Sequence, residues 1–101
     1  MSRPRIRIQD RAAPGEIIEI RTLIDHPMVT SLSSPQPRDM LATLEARMNG
    51  ETFFVYEFDN GTSANPYHVF FAKVEETSDF EFVWTHENGE TFTAQARVTV
   101  S

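Results

Sequence analysis

The second half of the chain contains short predicted strands that are apolar and aromatic on both faces. The clearest are Tyr67–Val74 (YHVFFAKV) and Phe80–Trp84 (FEFVW). A domain of 101 residues can bury only one face of each sheet against its own core. Apolar residues left on the opposite face usually indicate a surface that a partner covers. The sequence therefore predicts a single domain, residues 1–101, that carries a protein-binding face.

Turn signals and period-two patterns predict the fold class. In Glu90–Val100 the apolar residues alternate strictly with polar ones, and in Glu16–Ile24 the isoleucines at 18, 20 and 24 share one face. Pro4–Gln9 has the alternation of an edge strand. Together these segments predict an all-β chain, an immunoglobulin-like β-sandwich of about seven short antiparallel strands. Trp84 is expected in its core.

One segment, Asp39–Met48, fits two structures. Its apolar residues have helical spacing, and its alanine, leucine and glutamate residues favour a helix. Read with period two, Met40, Ala42, Leu44, Ala46 and Met48 form one apolar face. The following Asn49-Gly50 favours a type I′ hairpin turn into a strand from Glu51 to Phe58. The turn decides the prediction in favour of a strand.

The composition excludes several kinds of chemistry. Without cysteine the chain has no disulfide, no thiolate nucleophile and no thiolate metal ligand. No two of His26, His68 and His86 stand at a metal-ligand spacing, so no metal site is expected. The net charge of −6 argues against nucleic acid, and no apolar stretch is long enough for a membrane span. We predict no catalytic residue and no cofactor site, and we expect that the chain is not an enzyme.

Two polar clusters are candidates for a protein contact. They are Asp25–Met28 and Thr62–Tyr67, each of which is either a turn with a strand cap or a shaped loop that meets a partner. The pattern of Tyr67–Val74 does not decide which of its two apolar rows faces outward. The predicted partner-binding residues are His26, Met28, Ser63, Ala64, Asn65, Pro66, Tyr67, Val69 and Phe71.

Charge is distributed unevenly along the chain. Arginines are concentrated in the first fifth, whereas residues 51–90 are strongly acidic. This asymmetry fits either an ordinary solvated surface or a field that orients a partner.

Several sequence blocks resemble the SoxZ family of thiosulfate oxidation. They are GEIIEIRTLI (15–24), HPM (26–28), PR (37–38), SANPY (63–67), FFAKVEE (70–76), FEFVWT (80–85) and ENG (87–89), and they follow the family's order over nearly the whole chain. Between Met28 and Pro37 the family usually carries a longer loop with lysine and glycine, whereas this loop is short and rich in serine and proline.

The resemblance implies a partner and a role. A SoxZ subunit forms a heterodimer with SoxY, which carries sulfur intermediates on a cysteine of its flexible C-terminal arm and presents them to several periplasmic enzymes. SoxZ itself has no carrier cysteine and no cofactor. Met1–Ile6 has no apolar region of the kind found in signal peptides, which alone predicts a cytoplasmic protein. The family instead implies a periplasmic protein that is exported together with a signal-bearing partner.

Two other functions are consistent with a small β-sandwich. A stand-alone module that binds a sugar or a peptide would expose its aromatic residues to water, whereas a subunit would cover them. A small enzyme is disfavoured because the sequence lacks a nucleophile motif, a metal-ligand spacing and a phosphate-binding loop.

Overall fold

The computed structural model describes residues 3–26, 28, 39–59 and 64–101. The strands are β1 (Pro4–Arg7), β2 (Arg11–Ala12), β3 (Glu16–Ile24), β4 (Leu41–Met48), β5 (Glu51–Glu57), β6 (Tyr67–Val74), β7 (Ser78–His86) and β8 (Thr91–Val100). They form a three-stranded sheet of order β1-β3-β6 and a five-stranded sheet of order β2-β8-β7-β4-β5. Within the described residues, no helix is long and apolar enough to cross a membrane.

The two sheets confirm the predicted all-β sandwich. The predicted edge strand near the N-terminus is β1, which pairs with β3 alone in its sheet. The structure differs from the prediction in β2, which has only two residues and pairs parallel to β8. So short a segment has no periodicity, and it is a strand only because β8 offers a free edge.

The core lies between the facing sides of the two sheets. Alternation places every second residue of β3 and β7 inside, and Trp84, as predicted, is fully buried. The large, fully buried apolar side chains are Ile18, Ile20, Ile24, Met40, Leu41, Leu44, Val74, Phe80, Phe82, Trp84 and Val98. Most of them come from β3, β4 and β7.

The ambiguous segment is a strand, as predicted. Asn49 and Gly50 both have positive φ (53° and 83°), which is the backbone of a type I′ turn joining β4 to β5. The predicted inward face is wrong at its N-terminal end, because the pairing with β7 shifts register between Leu41 and Thr43. This irregularity buries both Met40 and Leu41 and leaves Ala42 only partly buried.

Aromatic rings close the side of the sandwich where β5 approaches β6. Phe54 stacks on Phe70 with ring centroids 4.1 Å apart, and Tyr56 lies 4.3 Å from the ring of His68. Among the described residues, the buried Nδ1 of His68 has no hydrogen-bond partner. Burial lowers the pKa of His68 below its ordinary value of 6.5.

Replacing His68 with phenylalanine should stabilise the protein by about 1 kcal/mol, because it removes an unpartnered polar atom and keeps a ring in place. The gain should grow in acid. With its pKa lowered in the folded state, His68 contributes stability that is full above pH 6.5 and is lost as the pH falls through the folded pKa. Phenylalanine does not titrate. Urea unfolding of both proteins between about pH 8 and about pH 5 measures the difference. An identical pH dependence in the two proteins would contradict it.

Candidate partner-binding site

The outer face of the three-stranded sheet exposes large apolar side chains. Ile17 is 67% exposed, Tyr67 54%, Val69 43% and Phe71 60%. We call these four residues the outer apolar row. The opposite side of β6 supplies Phe70, Ala72 and Val74 to the core, so only one of its two rows is absorbed by the fold.

Strand pairing gathers cations around the outer apolar row. Arg7 of β1 pairs with Arg21 of β3, which pairs with Val69 of β6. Two residues along each strand, Arg5 pairs with Leu23, which pairs with Tyr67. Lys73 pairs with Ile17 in the same register. Four cations, Arg5, Arg7, Arg21 and Lys73, therefore share this face with Glu19, and two further carboxylates lie at its ends, Asp25 at 3.1 Å from Arg5 and Glu75 at 3.9 Å from Lys73.

Two of these arginines are held by carboxylates. Arg21 donates a hydrogen bond from Nε to Glu19 at 2.7 Å, and Arg5 donates one to Asp25 at 3.1 Å. The hydrogen bond and charge of Glu19, with a smaller contribution from Tyr67, raise the pKa of Arg21. Arg5, Arg21 and Tyr67 also help to line a shallow pocket of about 270 Å³ at the edge of the row. The face thus combines apolar contact area with a rim of paired charges in which cations are slightly in excess.

The other predicted partner-binding residues lie at one end of this sheet. Asn65, with φ of 54°, donates its backbone N–H to the carbonyl of His26 at 2.7 Å. Its side-chain oxygen accepts the backbone N–H of His26 at 2.9 Å. These two bonds fasten the chain before β6 to the chain after β3. The described residues of the two predicted clusters therefore have the geometry of a turn with a strand cap.

The structure separates the predicted contact residues into two groups. Tyr67, Val69 and Phe71 lie on the outer face, and Ala64 and Asn65 are exposed beside its end. His26, Met28 and Pro66 are buried within this chain. A partner can therefore reach the first group directly, whereas the second group can shape the contact only from beneath. Ser63 lies outside the described residues, as does the loop between Met28 and Asp39.

Sequence reasoning missed one member of the outer apolar row and one polar cluster. Ile17 could have been found, because it is the isoleucine of β3 that lies out of step with the inward positions 18, 20 and 24. The cluster is His26, Asp39 and His86, whose potential ligand atoms all lie within 4.8 Å of one another. Spacing along the chain carries no signal for it, since three separate segments supply its members.

Hydrogen bonds define the geometry of this cluster. His86 Nε2 lies 2.6 Å and His26 Nε2 lies 3.3 Å from the same oxygen, Oδ1 of Asp39. The bond from His86, with a smaller effect of His26, lowers the pKa of Asp39. Burial lowers the pKa of His26. Histidine spacing along the chain, which predicts no metal site, therefore does not reveal this cluster.

Known structures share the fold. Superoxide reductase (neelaredoxin) from Ignicoccus hospitalis aligns with a TM-score of 0.79 at 13% identity, covering 97% of this chain and 80% of that one. A putative superoxide reductase from Thermotoga maritima gives 0.76 at 13% identity, with 97% and 85% covered. The sulfur carrier protein SoxY from Chlorobium limicola f thiosulfatophilum gives 0.70 at 10% identity, with 97% and 78% covered. At these identities the likeness shows the immunoglobulin-like fold alone.

Sequence comparison is more specific. Curated proteins give no significant match. A family model described as "Sulphur oxidation protein SoxZ" matches residues 6–97, which include the end of β1, all of β2 to β7 and most of β8. This match confirms the resemblance carried by the sequence blocks, and the chain therefore belongs to the SoxZ family of sulfur-oxidation proteins.

Proposed function

We propose that this Sox-system protein is the non-catalytic subunit of a heterodimeric sulfur carrier. Its partner is a SoxY-like subunit that bears the sulfur intermediate on a cysteine of its C-terminal arm, and this chain supports that arm while other sulfur-oxidation enzymes dock transiently. The outer apolar row is the observation that carries the proposal. The row is exposed in a chain that has no cysteine of its own.

The energetics favour covering the outer apolar row. Fully burying an exposed valine, isoleucine or phenylalanine side chain contributes about 1.5–3 kcal/mol, so Ile17, Val69 and Phe71, each roughly half exposed, offer a few kcal/mol toward association. Tyr67 adds an aromatic body with a polar tip, a combination that is enriched at interfaces. Part of this gain is offset by the lost freedom of two associating proteins.

The charge of the face defines the chemistry of the partner. An apolar strip with charges of both signs at its edge fits a partner strip that is apolar in its centre and carries charged side chains at its rim, with carboxylates opposite the arginines. Such charges mainly accelerate association, so the association rate should fall as salt is added while the dissociation rate changes little.

Covalent sulfur chemistry is assigned to the partner. Thiosulfate-derived sulfur is held through a thiol, and this sequence contains none. When the isolated chain is incubated with thiosulfate and an oxidant, its intact mass should stay unchanged. The co-purified partner should gain the adduct under the same conditions. A sulfur adduct on this chain would show that it takes part in the chemistry.

The proposed compartment is the periplasm, reached together with the partner. A tagged chain should appear in the periplasmic fraction when a signal-bearing partner is co-expressed. It should remain in the cytoplasm when the partner's signal is deleted. Export without any partner would argue against joint transport.

Co-expression tests the functional proposal most directly. The chain and a SoxY-like subunit should elute as a 1:1 heterodimer in size-exclusion chromatography with light scattering. The partner's cysteine should remain able to accept sulfur in that complex. A chain that stays monomeric beside the partner and instead binds a sugar or peptide would favour the stand-alone module.

A further inference from the structure

Two buried histidines and an accessible carboxylate converge at one end of the sandwich. The side chain of His26 is 3% exposed, that of His86 10% and that of Asp39 46%. His26 follows β3 of the three-stranded sheet, whereas His86 ends β7 of the five-stranded sheet and Asp39 precedes β4. We propose that these three side chains bind one divalent transition-metal ion of the Zn²⁺ class, with water completing the coordination.

The donor set suits such an ion. Imidazole nitrogen and carboxylate oxygen are ordinary Zn²⁺ ligands, and three protein ligands with an open fourth position make a common zinc geometry. The ligand atoms already lie within 4.8 Å of one another. Tetrahedral bonds of about 2.0–2.1 Å separate neighbouring ligand atoms by about 3.4 Å. The 3.3 Å between His26 Nε2 and Asp39 Oδ1 matches this value, and the 2.6 Å of His86 needs only a small opening.

Backbone amides fix the tautomer of both rings while no metal ion is bound. The N–H of Met28 donates to Nδ1 of His26 at 3.3 Å, and the N–H of Asn88 donates to Nδ1 of His86 at 3.1 Å. Each neutral ring therefore carries its proton on Nε2, facing Asp39. A metal ion on Nε2 displaces that proton, and a neutral ring then holds it on Nδ1. The hydrogen bonds from both backbone amides must therefore break when the metal ion binds, and the NMR signals of these amides should report that change.

The surroundings enclose the three ligands and leave one side open. The ring of Phe92 packs edge-on against His26 with centroids 6.4 Å apart, and the two histidine rings lie 5.3 Å from each other. The half-exposed carboxylate of Asp39 leaves a route for the ion and for a water ligand. Because its ligands come from both sheets, the ion cross-links them beside Asn65, whose hydrogen bonds hold His26.

Titration of the full chain tests this site. Protein stripped with a chelator should bind one Co²⁺ per chain with the visible absorption of a four-coordinate ion, and Zn²⁺ should displace it. Zn²⁺ should also raise the midpoint of thermal unfolding, since the ion binds the folded state. In ¹⁵N NMR the Nε2 signals of both histidines should change from protonated to metal-bound. The amide signals of Met28 and Asn88 should move with them.

Three variants locate the ion. His86→Asn, His26→Asn and Asp39→Asn should each weaken binding by more than about 100-fold, beyond the 10–100-fold loss caused by removing an outer-shell partner. His68→Phe, which removes the remaining histidine, should bind as the unmodified chain does. Circular dichroism shows whether each variant folds. If His26→Asn does not fold, His86→Asn and Asp39→Asn, which alter the more accessible positions, test the proposal. No binding at millimolar Zn²⁺, or equal binding by the folded variants, would overturn the proposal.

Discussion

Replacing Trp84 with alanine should lower the free energy of unfolding by about 3–5 kcal/mol. Trp84 is fully buried in the middle of β7, where it pairs with Leu44 of β4 and Phe92 of β8. Neighbouring strands cannot collapse into the space of an indole ring without breaking their pairing, so the substitution leaves a cavity. A small domain is stabilised by only about 5–15 kcal/mol in total, so the loss is a large part of it.

A matched substitution on the outer face separates burial from residue type. Phe71→Ala removes another aromatic ring, but from a side chain that is 60% exposed in the isolated chain. It should cost less than about 1 kcal/mol. Chemical unfolding of the two variants and of the unmodified protein measures both values. A loss below about 1 kcal/mol for Trp84→Ala would mean that this ring does not support the core.

The parts of the fold that could be predicted from the sequence are those set by local patterns. Strict alternation identified β8, and the isoleucines that share one face identified β3, because a strand with one buried face must place its apolar residues two apart. In β4 the residue composition favoured a helix, and the Asn49-Gly50 turn gave the correct answer because both residues adopt positive φ there. Here a two-residue turn was more informative than the propensity of ten residues.

Features that depend on tertiary pairing were not predictable. The register shift near Ala42 and the two-residue β2 arise from the strands beside them, and neither has a local signature. The same holds for the metal-ligand cluster, whose three members become neighbours only when the two sheets pack. Spacing rules find ligand sets carried by one helix or one turn, and they miss sets assembled across a sandwich.

For the candidate interface, the sequence predicted the strand but not its orientation. Both rows of Tyr67–Val74 are apolar, so hydrophobicity alone does not distinguish core from surface. The structure decides because β6 pairs with β3, whose isoleucines at 18, 20 and 24 can face only the core. Residues of β6 on the same side as these isoleucines are buried, and the alternate residues face outward. Strand pairing thus identifies Val69 and Phe71 as outward-facing.

Two valine-to-aspartate substitutions on β6 should give opposite results. Val74 is fully buried and pairs with Glu16, so Val74→Asp places a carboxylate in the core and should destabilise the chain by about 3–5 kcal/mol. Val69 is 43% exposed and pairs with Arg21, so an aspartate there stays hydrated beside a cation and the domain should remain folded. The same Val69→Asp change puts a charge in the centre of the outer apolar row. It should weaken pairing with a SoxY-like subunit by at least about 30-fold, which corresponds to a contact of about 2 kcal/mol or more.

Co-expression of each variant with the partner, followed by affinity purification, separates folding from pairing. Val69→Asp should be recovered as a folded monomer, with unfolding stability close to that of the unmodified chain and without the partner. Val55→Asp is the matched control, because Val55 is a 56% exposed valine on β5 of the other sheet, and this variant should still pair. If Val69→Asp stays folded and co-purifies as the heterodimer, the outer apolar row is not the interface. Loss of pairing in Val69→Asp but not in Val55→Asp would place the partner on the outer face of the three-stranded sheet, because both variants add the same charge to an exposed strand.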